Sequence, residues 1–208
     1  LGSEYCLVYS KASSIDANGN DINKIVGEDC SGIDVFDAIF NISFALPTMT
    51  VLMKKECIEN VGWYDETIAM EDIDMWIRLV RKYKFFFINT IMAINRDLGT
   101  SLSRNPGNFK RIGSSIRATR IKCLENKWLN QNQTITALRD LDHLIWNSYK
   151  NGQKIDSKKI KLFFLHSQMK YAKTITVLIV MGVPFQVFIT VKEFIYNRLK
   201  SIRSENAQ

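Results

Sequence analysis

Pro106 separates two apolar patterns that no single regular architecture accommodates. Before it, short β-branched and aromatic runs alternate with stretches whose apolar residues recur every three or four positions. After it, only the helical period remains. Such a chain is expected to fold as an α/β portion followed by an all-helical region, with the boundary near residue 105. At 208 residues it can bury a core without disulfides or metals, and 46% hydrophobic with 24% charged residues excludes disordered and collagen-like classes.

Within the first part, residues 5 to 10 (Tyr-Cys-Leu-Val-Tyr-Ser) read as a buried strand. Asn18-Gly19 signals a turn into a second extended piece near 21 to 26. A short helix is expected from Asp34 to Phe44, broken by Pro47, then a strand over Thr48 to Met53 and a brief helix over Lys54 to Val61 closed by Gly62. Glu71 to Tyr83 places Ile73, Trp76, Ile77 and Val80 on one stripe of a helix whose first turn is acidic. Phe85 to Asn95 is an almost unbroken apolar run, expected as a strand buried on both faces, and a loop with Gly99, Thr100 and Ser101 follows. The second part predicts helices over roughly 108 to 129, 133 to 150, 157 to 172 and 174 to 200, separated by Asn130 to Asn132 and Asn151-Gly152.

Charge divides with the pattern. Residues 1 to 100 hold 9 Lys/Arg against 15 Asp/Glu, net −6, whereas residues 101 to 208 hold 19 against 6, net +13. A basic half points to phosphate, whether of nucleic acid, anionic lipid or a nucleotide. The 18 residues between Lys173 and Lys192 carry no charge and contain Gly182 and Pro184, with Lys170, Lys173, Lys192, Arg198, Lys200 and Arg203 as flanks. That run falls just short of the ~20 residues a spanning helix needs, so a helix lying in an anionic membrane surface is favoured over one packed in the core.

The cysteines Cys6, Cys30, Cys57 and Cys123 form no C-x-x-C pair, so neither a zinc site nor a disulfide framework is signalled and a reducing cytoplasm is expected. No secretory signal peptide opens the sequence, and the Asn-x-Ser/Thr triplets at Asn41 and Asn132 carry no weight in so Asn-rich a chain. A start at Leu1 directly before a strand suggests an excerpt of a longer polypeptide. P-loop, dinucleotide-binding and nucleophile-elbow motifs are absent, and His143 and His166 are single histidines on helical faces.

The sharpest local signal is Gly62-Trp63-Tyr64-Asp65-Glu66 followed by Glu71-Asp72-Ile73-Asp74 and Arg78. It gathers carboxylates where a loop meets a helix N-terminus, which stabilises an anion by ~0.3–1 kcal/mol. Asp72 therefore suits a general base, with ordinary first-turn capping as the plainer alternative. Together with Tyr9-Ser10, Ile15 to Gly19, Pro47, the Lys54-Lys55 pair and Asn95-Arg96, this order of motifs resembles the acceptor half of family 2 glycosyltransferases over much of residues 5 to 103.

The resemblance implies the C-terminal part of a GT-A-type sandwich at 1 to 105, with a basic helical region at 106 to 208. It further implies transfer of a sugar from a nucleotide-sugar donor to a saccharide or lipid-linked acceptor, with inversion, in bacterial surface polysaccharide or glycolipid synthesis. Asp72 matches the catalytic base. Glu71, Trp63 and Asp74 are expected to bind substrate, and Arg96 to approach the diphosphate, although Asn95 stands where relatives have Tyr and Leu98 where many have His. A divalent metal, Mn or Mg, is expected only in a full-length enzyme, because Asp72-Ile73-Asp74 lies inside the Glu-Asp pattern and is not read as the metal motif; no metal site is assigned to this chain. Attachment to the cytoplasmic face of the cell membrane follows as the expected location. The alternatives are a basic helical nucleic-acid-binding module, for which no helix-turn-helix or RNA-binding signature is visible, and a non-catalytic scaffold.

Overall fold

The computed structural model describes residues 2, 4–98, 100–101 and 105–194. It is a mixed α/β protein that divides into two compact units, Leu1–Arg120 and Ile121–Gln208. The division falls inside a helix rather than near residue 105. The first turns of that helix belong to the first unit: Ser115 donates its hydroxyl to the Arg111 carbonyl and accepts the Ala69 amide at 2.8 Å. Arg120 donates Nε to the Phe40 carbonyl at 3.0 Å and lies 5.2 Å over the Phe40 ring.

The first unit is organised by β1 (Tyr5–Ile15), the strand most deeply buried in the sheet. It runs parallel to β4 (Lys84–Arg96) from Tyr5 opposite Lys84 to Ile15 opposite Arg96. On its other edge it pairs antiparallel with β2 (Asp21–Val26) near its end and with β3 (Leu52–Met53) near its start. The expected turn forms at Asp16 to Asn20, where the Asp16 carboxylate accepts the Asn18 and Asn20 amides. Gly27, at φ +113°, ends β2 where a Cβ would stand 2.9 Å from the Ser10 carbonyl oxygen, so only glycine lets the backbone lie this close to β1.

Helices α1 (Val35–Phe40) and α3 (Glu71–Val80) pack together, and Ile39 and Phe40 of α1, Met75, Trp76, Ile77 and Leu79 of α3, and Leu7, Tyr9 and Ala12 of β1 are all buried. The helix expected to reach Phe44 stops at Phe40. There Ile42 takes φ +56° and the Ser43 amide reaches back to the Ala38 carbonyl, a Schellman-type ending.

Two expected strands are corrected. Thr48 to Met53 is a 3₁₀ turn, Thr48–Thr50, followed by only the two residues of β3, because Thr50 spends its hydroxyl on the Ser10 and Pro47 carbonyls and curls the chain. β4 is not buried on both faces: Phe85 is buried, while Phe86, Ile91, Met92 and Ile94 are exposed. Among the described residues it pairs with β1 alone, which leaves its outer edge and much of its surface uncovered.

The second unit is all helical: the end of α4 (Phe109–Glu125), α5 (Gln131–Lys150), α6 (Ser157–His166), α7 (Ala172–Val180) and a helix from residue 185 onward, described to 194. α5 opens with a reciprocal cap in which Asn130 accepts the Gln133 amide and the Gln133 side chain accepts the Asn130 amide, each at 3.0 Å. Ile121, Leu138, Leu141, Ile145, Phe163 and Ile175 form its core. The single helix expected over 174 to 200 is broken. Gly182 at φ +70° and the Pro184 ring interrupt it after α7, and 195 to 200 lie outside the described residues.

Asp142 of α5 fastens the α6–α7 turn, accepting the Ser167 hydroxyl and the Gln168 amide. Burial pushes its carboxyl above the usual carboxylate range, against the opposing pull of those hydrogen bonds. A folded-state pKa above the unfolded value means that the folded chain holds the proton more tightly. This contribution is therefore complete below about pH 4 and is lost as pH rises through the raised folded pKa. Chemical unfolding from pH 4 to 7 should show that decline in the wild type and not in Asp142→Asn. Parallel pH profiles would remove Asp142 as its source.

Candidate active site

The candidate site is assembled where α3 begins. α2 (Lys55–Val61) ends at Gly62, which takes φ +89° and ψ 153°, a conformation that glycine permits. That turn fans three consecutive carbonyls around one side chain. Arg78 donates Nη1 to Val61 and Gly62 at 2.9 and 2.6 Å, and Nη2 to Trp63 at 3.1 Å. Its Nε meets the Asp74 carboxylate at 2.9 Å, one helical turn back. The loop with Trp63 and Tyr64 is thus tied to the same helix that carries Asp72.

Asp74 is a correction to the expected substrate contacts. It is only 3% exposed and engages Arg78, so its role is to hold the guanidinium that holds the loop. Asp72, two residues earlier, is half-buried. One oxygen accepts the Thr48 hydroxyl at 3.0 Å and the other the Ile73 amide at 2.8 Å, which fixes the carboxylate and leaves further acceptor positions on both oxygens. Glu71 and Thr48 are exposed beside it.

Trp63 is 61% exposed and offers an open aromatic face, while Tyr64 is brought electrostatically close to Asp72 and Glu71. Partial burial, then those two carboxylates, raise the Tyr64 phenol above its ordinary value, with Arg78 opposing. The phenol therefore keeps its proton at neutral pH and can donate to an oxygen. Carboxylate, hydroxyl and phenol gathered at the start of α3, with an exposed indole on the tied loop, are groups that suit a polyhydroxyl ligand.

Arg96 is placed at the end of β4, where Nη1 donates to the Asp16 and Ala17 carbonyls at 3.2 and 3.1 Å. It secures the turn after β1, a structural task that the motif did not reveal. Asn95 and Leu98 lie on the same stretch, and Gly99 lies outside the described residues. The metal that the resemblance associates with a longer enzyme does not fit here. No group of three or more His, Cys, Asp or Glu among the described residues could hold an ion, and Asp72 and Asp74 engage different partners.

Sequence reasoning missed a concavity of about 650 Å³ bordered by Val80, at the opposite end of α3, and lined also by Tyr5, Asp34, Tyr83 and Phe86. Phe86, 42% exposed, belongs to a run that reads as core because periodicity cannot tell a central strand from an uncovered one.

In the helical unit the uncharged run presents an apolar outer face, with Val180 and Met181 each more than 70% exposed and Lys170, Lys173 and Lys192 around it. No helix among the described residues is long and apolar enough to cross a membrane. Fold and site together define a mixed α/β protein with a carboxylate-bearing helix start. Compared with known proteins, the chain matches no family model and no curated protein.

Proposed function

We propose that this chain forms the acceptor side of an inverting glycosyltransferase. The observation that carries the reading is the Asp72 carboxylate, oriented by the Thr48 hydroxyl and the Ile73 amide with the Tyr64 phenol in its electrostatic reach. In this reading Asp72 takes the proton of an acceptor hydroxyl as that oxygen attacks the anomeric carbon of the donor. The bond to the nucleoside diphosphate breaks as the new glycosidic bond forms on the opposite face. Trp63 supports a sugar ring, and Glu71 and Tyr64 position hydroxyls. The ordered motifs that resemble family 2 enzymes add to this reading.

The donor diphosphate has no partner in the proposed machinery of this chain, so the acceptor side is expected to work with a separate nucleotide-binding half. Calorimetry of the chain with a panel of sugar nucleotides and manganese should give no micromolar binding. Micromolar binding would overturn the acceptor-side assignment.

The helical unit is proposed to lie on an anionic membrane surface, a location that suits a transferase whose acceptor is a lipid-linked sugar. The apolar outer face of α7 supplies area, and each nearby basic residue contributes on the order of 1 kcal/mol. Co-sedimentation with vesicles should rise with anionic lipid, fall with salt and disappear on deletion of residues 170 to 208. Equal partitioning of intact and truncated chains would defeat the membrane assignment.

A further inference from the structure

The concavity of about 650 Å³ at the far end of α3 lies between the start of β4 and the segment 29–36 that leads into α1. Backbone groups of successive residues point to opposite sides of a strand. The Lys84 amide donates toward β1, to the Glu4 carbonyl at 2.8 Å, so the amides and carbonyls of Phe85 and Phe87 point away from β1. The Phe85 carbonyl agrees with that sense: it accepts the Cys30 thiol, a weak donor on the opposite wall, at 3.5 Å. Both phenylalanines line the concavity, and among the described residues no strand pairs with this edge of β4. An open strand edge facing a helix start across a groove is the arrangement to which an extended segment adds as one more strand.

The wall opposite β4 is acidic. Between Lys24 and Lys54 the chain carries Glu28, Asp29, Asp34 and Asp37 and no Lys or Arg. Asp29 and Asp34 line the groove, and Lys84 is the single cation among the lining residues. The Ser31 amide, at 2.8 Å, holds the Asp29 carboxyl below its usual range, so it is ionised at neutral pH.

We infer that this groove binds an extended basic peptide segment of a partner protein, which pairs its main chain with the Phe85–Phe87 edge and sets Lys or Arg side chains against the acidic wall. A helix or a small ligand offers no row of N–H and C=O groups spaced to match the edge, and an acidic strand meets repulsion. The groove lies within the first unit and stands independently of the glycosyltransferase reading.

The test is calorimetry of the full chain with acetyl-Val-Lys-Val-Lys-Val-Lys-amide. Saturable one-to-one binding is expected, weakened by salt. It should be about fivefold weaker in the double variant Asp29→Asn with Asp34→Asn, which keeps the acceptors of the Ser31 and Asp37 amides and removes only charge. The valine amides face one edge of the bound peptide and the lysine amides the other. N-methylation of one set should therefore weaken binding by about tenfold or more, and of the other set leave it unchanged. Bound peptide should also slow hydrogen exchange at the Phe87 amide by about tenfold or more. Absence of binding, equal binding of the glutamate analogue, equal affinity of the double variant, equal losses from both methylated sets or an unchanged Phe87 amide would each overturn the site.

Discussion

Arg78→Ala should destabilise the first unit by about 3–5 kcal/mol, the cost of stripping the cation from a buried ion pair. The Asp74 side chain is 4% exposed and that of Arg78 16%, so solvent screens the pair weakly. The same guanidinium satisfies the carbonyls of Val61, Gly62 and Trp63, and their loss adds to the effect. Asp74→Ala should cost a similar amount from the other side. The double variant Asp74→Leu with Arg78→Met should recover much of the loss, since two apolar side chains leave no buried charge. Chemical unfolding of the four proteins at pH 7 decides the matter. A loss below about 1 kcal/mol for Arg78→Ala, the range of exposed pairs, would mean that the loop is held by something else.

The second large effect is on turnover. With a donor-binding half supplied, Asp72→Asn should reduce sugar transfer by roughly 10²-fold or more, the order for losing a general base, while leaving the unfolding midpoint unchanged. The asparagine carbonyl can accept the Ile73 amide and its NH₂ can donate to the Thr48 hydroxyl, so the local hydrogen bonds survive and only the capacity to take a proton is removed. A turnover equal to wild type would remove Asp72 from the mechanism. A lowered midpoint would instead return the residue to the ordinary role of stabilising a helix start.

Asp72 and Asp74 show why local pattern reads a site only partly. Both are acidic residues in one helical first turn, and the alternation of letters distinguishes neither. Which one faces solvent depends on where Arg78, one turn further, finds the carbonyls that Gly62 presents. Arg96 was legible through the resemblance only, and its contacts with the Asp16 and Ala17 carbonyls depend on β1 and β4 lying parallel along their whole length.

What the sequence determined by itself is everything set by neighbours a few residues apart. It carried the mixed first part and helical second part, the Asn18-Gly19 turn, the stripe of α3 and its acidic start, the Gly62 ending of α2 and the polar breaks between the later helices, because periodicity and φ preference act over one or two turns. The tertiary structure alone decided that β4 stays uncovered, that Thr48–Thr50 curls toward β1 and that the first unit extends to Arg120. Each of these depends on which distant surface arrives to bury a side chain or accept a hydrogen bond. An apolar run records only that burial is favourable, and the identity of its partner is settled when the chain closes on itself.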